Sequence, residues 1–154
     1  MKVFELERTQ VLPVSLQQAW EFFVSPANLA VITPPDMGFT VLTDVSEGSI
    51  YDGMRIDYTV SPLWNIPMRW RTVITGVEAP HLFTDRQERG PYRLWEHTHT
   101  FTEVEGGVLM TDHVRYALPL GWLGVMVHGS VVRPRLEHIF DYRRKRLTEL
   151  FGAA

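Results

Sequence analysis

The chain has 154 residues, of which 45% are hydrophobic, enough for one domain (1–154) with its own core and too few for two ordinary ones. A formal net charge of −3 provides no overall positive field, so we expect no nucleic-acid binding. Without cysteine, disulfides, thiolate metal sites and cysteine nucleophiles are excluded. The N-terminus does not resemble a signal peptide and no twenty-residue apolar span follows, which predicts a cytoplasmic protein without stable membrane insertion.

The first part of the chain predicts one strand followed by two short helices. Apolar and charged residues alternate over 3–11, as in a half-buried strand. Ser15 and Gln18 have the spacing of a capping box, which predicts a short helix after Ser15. Ser25-Pro26 is a second start signal, for a helix through about residue 30. Two short helices here, rather than one crossover helix, argue against a doubly wound fold.

Six further strands are predicted because turn signals separate segments rich in aromatic and β-branched residues. The segments are 39–45, 53–61, 68–77, 81–89, 92–104 and 108–118. Glu47-Gly48-Ser49 belongs to the first turn, and Pro62 and Pro67 flank a loop that we expect to be bulged. Consecutive strands joined by tight connections form an antiparallel meander.

The last segment, 131–151, has apolar residues at three- and four-residue steps, which predicts a helix about 30 Å long. Ser130 is the predicted cap. The preceding segment 122–127 has three interpretations: a lid over a pocket, a contact in a homodimer, or ordinary helix packing, which we expect by default. The elements together predict an α+β fold in which a curved antiparallel sheet of about seven strands wraps around the long C-terminal helix.

Alternation within the strands predicts which side chains face that helix. The inward faces combine large apolar residues with five polar ones, namely Asp85, Gln87, His97, His99 and Asp112. Burying such groups unpaired costs several kcal/mol, so we expect them to hydrogen-bond to each other, to bound water or to a ligand. Both a structural network and a ligand-orienting set are compatible with the pattern.

Residues 90–101, Gly-Pro-Tyr-Arg-Leu-Trp-Glu-His-Thr-His-Thr-Phe, resemble the ligand-binding branch of the START-like, or SRPBCC, superfamily, as does the ending 136–143. The resemblance implies a helix-grip fold with an internal cavity closed by the two short helices. The superfamily includes lipid-transfer domains, plant hormone and allergen-type binders, polyketide aromatase/cyclases and chaperone co-activators. The most similar branch consists of polyketide cyclase-like proteins, from which no catalytic assignment carries over.

The first functional hypothesis is the binding of a small hydrophobic molecule, lipid- or polyketide-like, between sheet and helix. The residues predicted to contact it are Tyr58, Trp70, Phe83, Gln87, Trp95, His97, His99, Asp112, Tyr116, Leu136, Ile139, Phe140 and Arg143. Arg143 falls near the apolar stripe of the helix, within reach of a pocket carboxylate or of an acidic ligand.

Two alternatives belong to other classes. In a cyclase or dehydratase, His97 or His99 paired with Asp85 or Asp112 would move protons near neutral pH. In an interaction module, side chains would fill the cavity and the surface would bind a protein. No nucleophile motif or phosphate-binding glycine loop accompanies the histidines.

Two further patterns are given structural interpretations. His97 and His99 lie on one strand face about 7 Å apart, a spacing used by zinc sites on sheets. A third ligand would have to come from Asp85, Asp112 or Gln87, and closed zinc sites usually show more His and Cys than this. We therefore expect no metal and no cofactor. The basic run 143–146, with Arg133 and Arg135 before it, suits the C-terminal half of a helix better than a nucleic-acid site.

Overall fold

The computed structural model describes residues 1–45, 48–61 and 65–153. Glu47 and Pro62, used above as turn signals, lie outside the described residues. Seven strands form one antiparallel sheet in the order β1-β7-β6-β5-β4-β3-β2. They are β1 (Phe4–Leu12), β2 (Thr40–Val41), β3 (Arg55–Val60), β4 (Met68–Glu78), β5 (Leu82–Arg89), β6 (Leu94–Val104) and β7 (Gly107–Ala117). The helices are α1 (Leu16–Phe23), α2 (Pro26–Val31), α3 (Trp122–Val127) and α4 (Arg133–Phe151). The predicted fold class is confirmed.

The sheet is a meander whose first strand returns to pair with the last. β1 pairs with β7 from Phe4 opposite Tyr116 to Leu12 opposite Val108. This pairing brings the Leu12 carbonyl so close to Gly107 that a Cβ there would lie 2.0 Å from its oxygen. Glycine is therefore required at the β6–β7 turn, both for this approach and for its φ of +153°.

The capping box at Ser15 forms as predicted: the Ser15 hydroxyl accepts from the Gln18 amide, and the Gln18 side chain accepts from the Ser15 amide. The predicted strand 39–45 is too long, because only Thr40–Val41 pairs with β3. Beyond it, the Thr43 hydroxyl accepts from the Asp57 amide at 2.8 Å in place of a backbone carbonyl. The side-chain hydrogen bond thus takes the place of the next backbone hydrogen bond between β2 and β3, and the strand ends.

The C-terminal helix begins earlier than predicted. α3 starts at Trp122 after a turn with positive φ at Leu120 and Gly121, and a π-helical turn, His128–Val132, joins it to α4. Ser130 lies inside this π turn and caps nothing, so that prediction is wrong. Ordinary packing of 122–127 is wrong as well, because Gly124 is its one buried residue and Trp122 is 70% exposed.

The core lies between the concave face of the sheet and the helices. The predicted inward faces of β6 and β7 are buried, including Trp95, Phe101 and Tyr116. From α1, Trp20 meets the rings of Phe83 and Phe101 edge-on at 5.9 and 5.8 Å between centroids. No helix in the described part of the chain is long and apolar enough to cross a bilayer.

Candidate functional site: a cavity with a histidine–carboxylate cluster

Four polar side chains project from the inner face of three adjacent strands. In register, Asp85 of β5 lies opposite His97 of β6, and His99 of β6 lies opposite Asp112 of β7. The hydrogen bonds, however, follow the diagonals. His97 Nε2 donates to Asp112 Oδ1 at 2.7 Å, and His99 Nε2 donates to Asp85 Oδ2 at 2.6 Å. Each carboxylate is thus bound by the histidine that is not its register partner.

The two imidazoles stack on each other, with ring centroids 3.7 Å apart and planes inclined by 24°. Because both Nε2 atoms donate to carboxylates, the hydrogen bonds assign their protons to Nε2. His99 Nδ1 is buried without a hydrogen-bond partner in the described residues, 3.4 Å from Asp112 Oδ1. His97 Nδ1 lies 3.7 Å from Asp85 Oδ2, beyond hydrogen-bond distance.

Arg143 attaches the C-terminal helix to this cluster. Its Nε donates to Asp112 Oδ2 at 3.1 Å and its Nη2 donates to Asp112 Oδ1 at 3.0 Å, the two-point geometry typical of strong pairs. The guanidinium carbon also lies 5.3 Å from the ring centroid of Phe23 in α1. Arg143 and Asp112 are only 5% and 2% exposed. Arg143 therefore contacts a carboxylate on the inner face of the sheet.

The cluster shifts the pKa values of its two histidines in opposite directions, lowering that of His97 and raising that of His99. Burial and the neighbouring His99 lower the pKa of His97. For His99, burial acts in the same direction but is outweighed by Asp112 and Asp85, which raise its pKa. Burial alone would raise the pKa of Asp112, yet Arg143 and the histidines hold it well below its usual value. When His99 is in its positively charged, doubly protonated form, the charges of Asp85, Asp112, Arg143 and His99 sum to zero.

A cavity of about 660 Å³ extends from this cluster towards the surface, between the sheet and the C-terminal helix. Its polar floor is formed by Asp85, His97 and His99, whereas its walls are mainly apolar and aromatic. Exposed apolar residues surround the mouth; they are Ile66, Met68, Leu120, Leu123, Met126 and Val127. The α3 segment that precedes α4 therefore forms one edge of the cavity opening.

Neither protein-family models nor curated protein sequences match the chain. Solved structures match it over nearly its whole length. Protein Ms6760 from Mycobacterium smegmatis is 20% identical with a TM-score of 0.69, covering 100% of this chain and 98% of that chain. A START superfamily protein from the same organism is 14% identical with a TM-score of 0.68, covering 95% and 98%. Ginseng major latex-like protein 151 from Panax ginseng is 13% identical with a TM-score of 0.67, covering 97% of each chain.

The chain has the START-like helix-grip fold. This confirms the resemblance seen in the sequence at the level of fold. Identities of 13 to 20% do not carry a ligand or an activity from these proteins to this helix-grip chain.

Most of the residues predicted to contact a ligand line the helix-grip cavity. They are Tyr58, Trp70, Phe83, Trp95, His97, His99, Leu136, Ile139, Phe140 and Arg143. Asp85, predicted as a catalytic candidate, lies on the floor beside the histidines. The three helix residues leave space between helix and sheet rather than filling it.

Three predicted contact residues do not line the cavity. Asp112 lies behind the histidines, bound by Arg143. Tyr116 is fully buried, and its hydroxyl bonds His128 of the π turn at 2.6 Å. The Gln87 amide holds the β5–β6 turn instead, because its nitrogen donates to the Tyr92 carbonyl at 2.6 Å and its oxygen accepts from the Tyr92 amide at 3.0 Å.

Two residues absent from the predicted set contribute to the wall. The Thr72 hydroxyl accepts from Trp70 Nε1 at 3.1 Å and lies 3.0 Å from the Tyr58 hydroxyl, so it satisfies both polar groups in the aromatic wall. The alternation of side chains in β4 places Thr72 on the inner face beside Trp70, and this pattern in the sequence indicates that Thr72 belongs to the wall. Tyr92, predicted as the first residue of the strand 92–104, lies instead in the turn before β6 and packs on Trp95 at 4.9 Å between centroids. Strand alternation therefore does not indicate its direction.

The floor also contains a potential metal-ligand set, since Asp85, His97 and His99 each offer one atom within 4.8 Å of the others. The stacking of the rings does not suit a metal, because the nitrogen lone pairs of stacked imidazoles lie in two nearly parallel planes, which a single ion does not share. Both Nε2 atoms are also engaged by carboxylates. The geometry favours a proton-holding network, and the absence of a metal remains a prediction.

Proposed function

We propose that this protein binds a small hydrophobic ligand, lipid- or polyketide-like, between the sheet and the C-terminal helix. The observation that carries the proposal is the cavity of about 660 Å³ with apolar walls and one polar cluster at its floor. This volume lies within the usual range for ligand pockets, and well-packed interiors rarely leave voids larger than a water molecule. The helix-grip fold supports the same interpretation, whereas an interaction module with a filled cavity is not supported.

Binding of Nile red, a neutral hydrophobic dye, tests the proposal directly. Ile139 lines the cavity from α4, so Ile139→Trp should occupy part of the space and weaken dye binding by about tenfold or more. Lys145→Trp places the same side chain on an exposed position of the same helix and serves as the control. If the fluorescence of Nile red does not increase with the wild type, or if the dye binds both variants equally well, a ligand cavity is refuted. Solvent extraction and mass spectrometry of the purified protein would identify a retained molecule.

A cyclase or dehydratase is the second candidate, favoured by one observation. His97 Nε2 is held by Asp112, which Arg143 holds in turn, and this orients a histidine of lowered pKa on the cavity floor. A neutral, oriented imidazole is suited to accept a proton from a bound substrate. In this case His97→Gln should abolish turnover of an identified substrate while Nile red binding persists. If turnover persists, His97 is not the base.

A further inference from the structure

The two oxygens of the Asp85 carboxylate have different environments. Oδ2 accepts the hydrogen bond from His99 Nε2, whereas Oδ1 has no hydrogen-bond partner among the described residues. The Asp85 side chain is 18% exposed although it lies on the inner face of the sheet, and it lines the cavity. Its unpaired oxygen is therefore presented to whatever occupies the cavity floor.

The nearby cations are already engaged elsewhere. Arg143 is bound through two nitrogens to Asp112, and Arg135, which also lines the cavity, pairs with Asp36 at 2.9 Å. His99 donates to the other oxygen of the same carboxylate. Besides these, the ionisable side chains that line the cavity within the described parts of the chain are His97 and the hydroxyls of Tyr58 and Tyr92. The floor thus has an unsatisfied acceptor and no uncommitted guanidinium among the described residues.

We propose that Asp85 selects ligands whose deepest polar group is a hydrogen-bond donor, such as a hydroxyl or a protonated amine, and that the cavity disfavours ionised carboxylates. An ionised carboxylate can only accept hydrogen bonds. A ligand that offers it a donor gains a charge-assisted bond in a desolvated site, whereas an acidic ligand would bring a second negative charge next to it. This inference rests on the proposed function and specifies its ligand class. It also replaces the expectation that Arg143 binds an acidic ligand.

Three pyrenes that differ in one substituent test the selection on the wild-type protein. The aromatic wall formed by Trp70, Tyr92 and Trp95 suits a flat ring system, and pyrene fluorescence reports binding. 1-Hydroxypyrene should bind about tenfold to a hundredfold tighter than 1-methoxypyrene, which lacks the donor. Pyrene-1-carboxylate should bind more weakly than the methoxy compound.

Asp85→Asn should reduce the preference for 1-hydroxypyrene. His99 Nε2 donates, so the new amide should direct its oxygen to His99 and its NH₂ group to the cavity, replacing an acceptor with a donor. 1-Methoxypyrene and the carboxylate should then gain affinity relative to 1-hydroxypyrene. Asp141→Asn is the matched control, because Asp141 is an exposed partner of Arg8 outside the cavity. Circular dichroism checks that each variant is folded.

The outcomes separate the two proposals. Equal affinity of the three pyrenes for the wild type would overturn the selection by Asp85 and leave hydrophobic binding intact. Unchanged affinity ratios of the three pyrenes in folded Asp85→Asn would do the same. If no pyrene binds at any soluble concentration, the ligand cavity itself is refuted, and the inference with it.

Discussion

Arg143 on the C-terminal helix binds Asp112 on the last strand through two hydrogen bonds of 3.0 and 3.1 Å, and both side chains are almost completely buried. Asp112 also accepts from His97. One carboxylate therefore connects the helix to the cavity floor. Helix position and histidine orientation depend on the same ion pair.

Removing the cation should be strongly destabilising. Arg143→Met leaves Asp112 buried without its guanidinium partner, and the loss of one partner of a buried ion pair costs about 3–5 kcal/mol of unfolding free energy. Arg146→Met is the control, because Arg146 is 35% exposed and pairs with Glu149 on the same helix, which predicts a change below about 1 kcal/mol. Urea unfolding measures both. Similar stabilities of the two variants would show that the Arg143 pair contributes little.

Stability should depend on pH through His99. Its pKa is raised above the ordinary 6.5 in the folded state, so its contribution is complete below about 6.5 and is lost as pH rises through the folded-state value. The pKa of His97 is lowered in the folded state, so His97 reduces the stability of the fold as the pH falls below about 6.5. Comparing wild type with His99→Gln by urea unfolding between about pH 6 and about pH 9 should show an alkaline loss that the variant lacks.

His138→Gln controls for the loss of an imidazole from the surface, because His138 is half exposed on α4. It should retain the alkaline loss of the wild type. Parallel profiles of the wild type and His99→Gln would contradict a raised pKa at His99.

The Thr72 hydroxyl should stabilise the aromatic wall. Thr72→Val retains the shape but leaves the Trp70 Nε1 proton and the Tyr58 hydroxyl without their shared partner, which predicts a loss of about 1–3 kcal/mol of unfolding free energy. Thr98→Val is the matched control, because Thr98 bonds Thr84 at a partly buried position outside the cavity lining. Denaturant titration should rank Thr72→Val clearly below Thr98→Val. Equal losses would mean that the two hydroxyls are equivalent.

The β6–β7 turn offers a prediction from backbone geometry. Gly106 and Gly107 both have positive φ, but an added Cβ meets nothing within 4 Å at Gly106 and would overlap the Leu12 carbonyl at Gly107. Gly106→Ala should therefore cost only backbone strain, about 1–2 kcal/mol. Gly107→Ala should cost more, since β1 must shift away from the turn. Thermal unfolding of the two variants checks this, and equal melting temperatures would contradict the steric argument.

Local patterns in the sequence predicted much of the architecture. Ser15 and Gln18 indicated the start of α1 because a capping box is formed within four consecutive residues. The length of β2 was predicted wrongly because a tertiary contact decides it, and the start of the last helix was predicted wrongly because it depends on a backbone turn that apolar periodicity does not indicate. The Thr43 hydroxyl ends the pairing of β2, and the positive φ of Leu120 and Gly121 allows the helix to begin at Trp122.

The sequence by itself determined that Asp85, His97, His99 and Asp112 share the inner face, because side-chain alternation is a local property of an extended backbone. Which histidine binds which carboxylate was decided only by the tertiary structure. Sheet twist directs the hydrogen bonds along the diagonals of the register, not across it. The open cavity is also a tertiary result, because it depends on how far Leu136 and Phe140 stand from the sheet, and no local pattern encodes that distance.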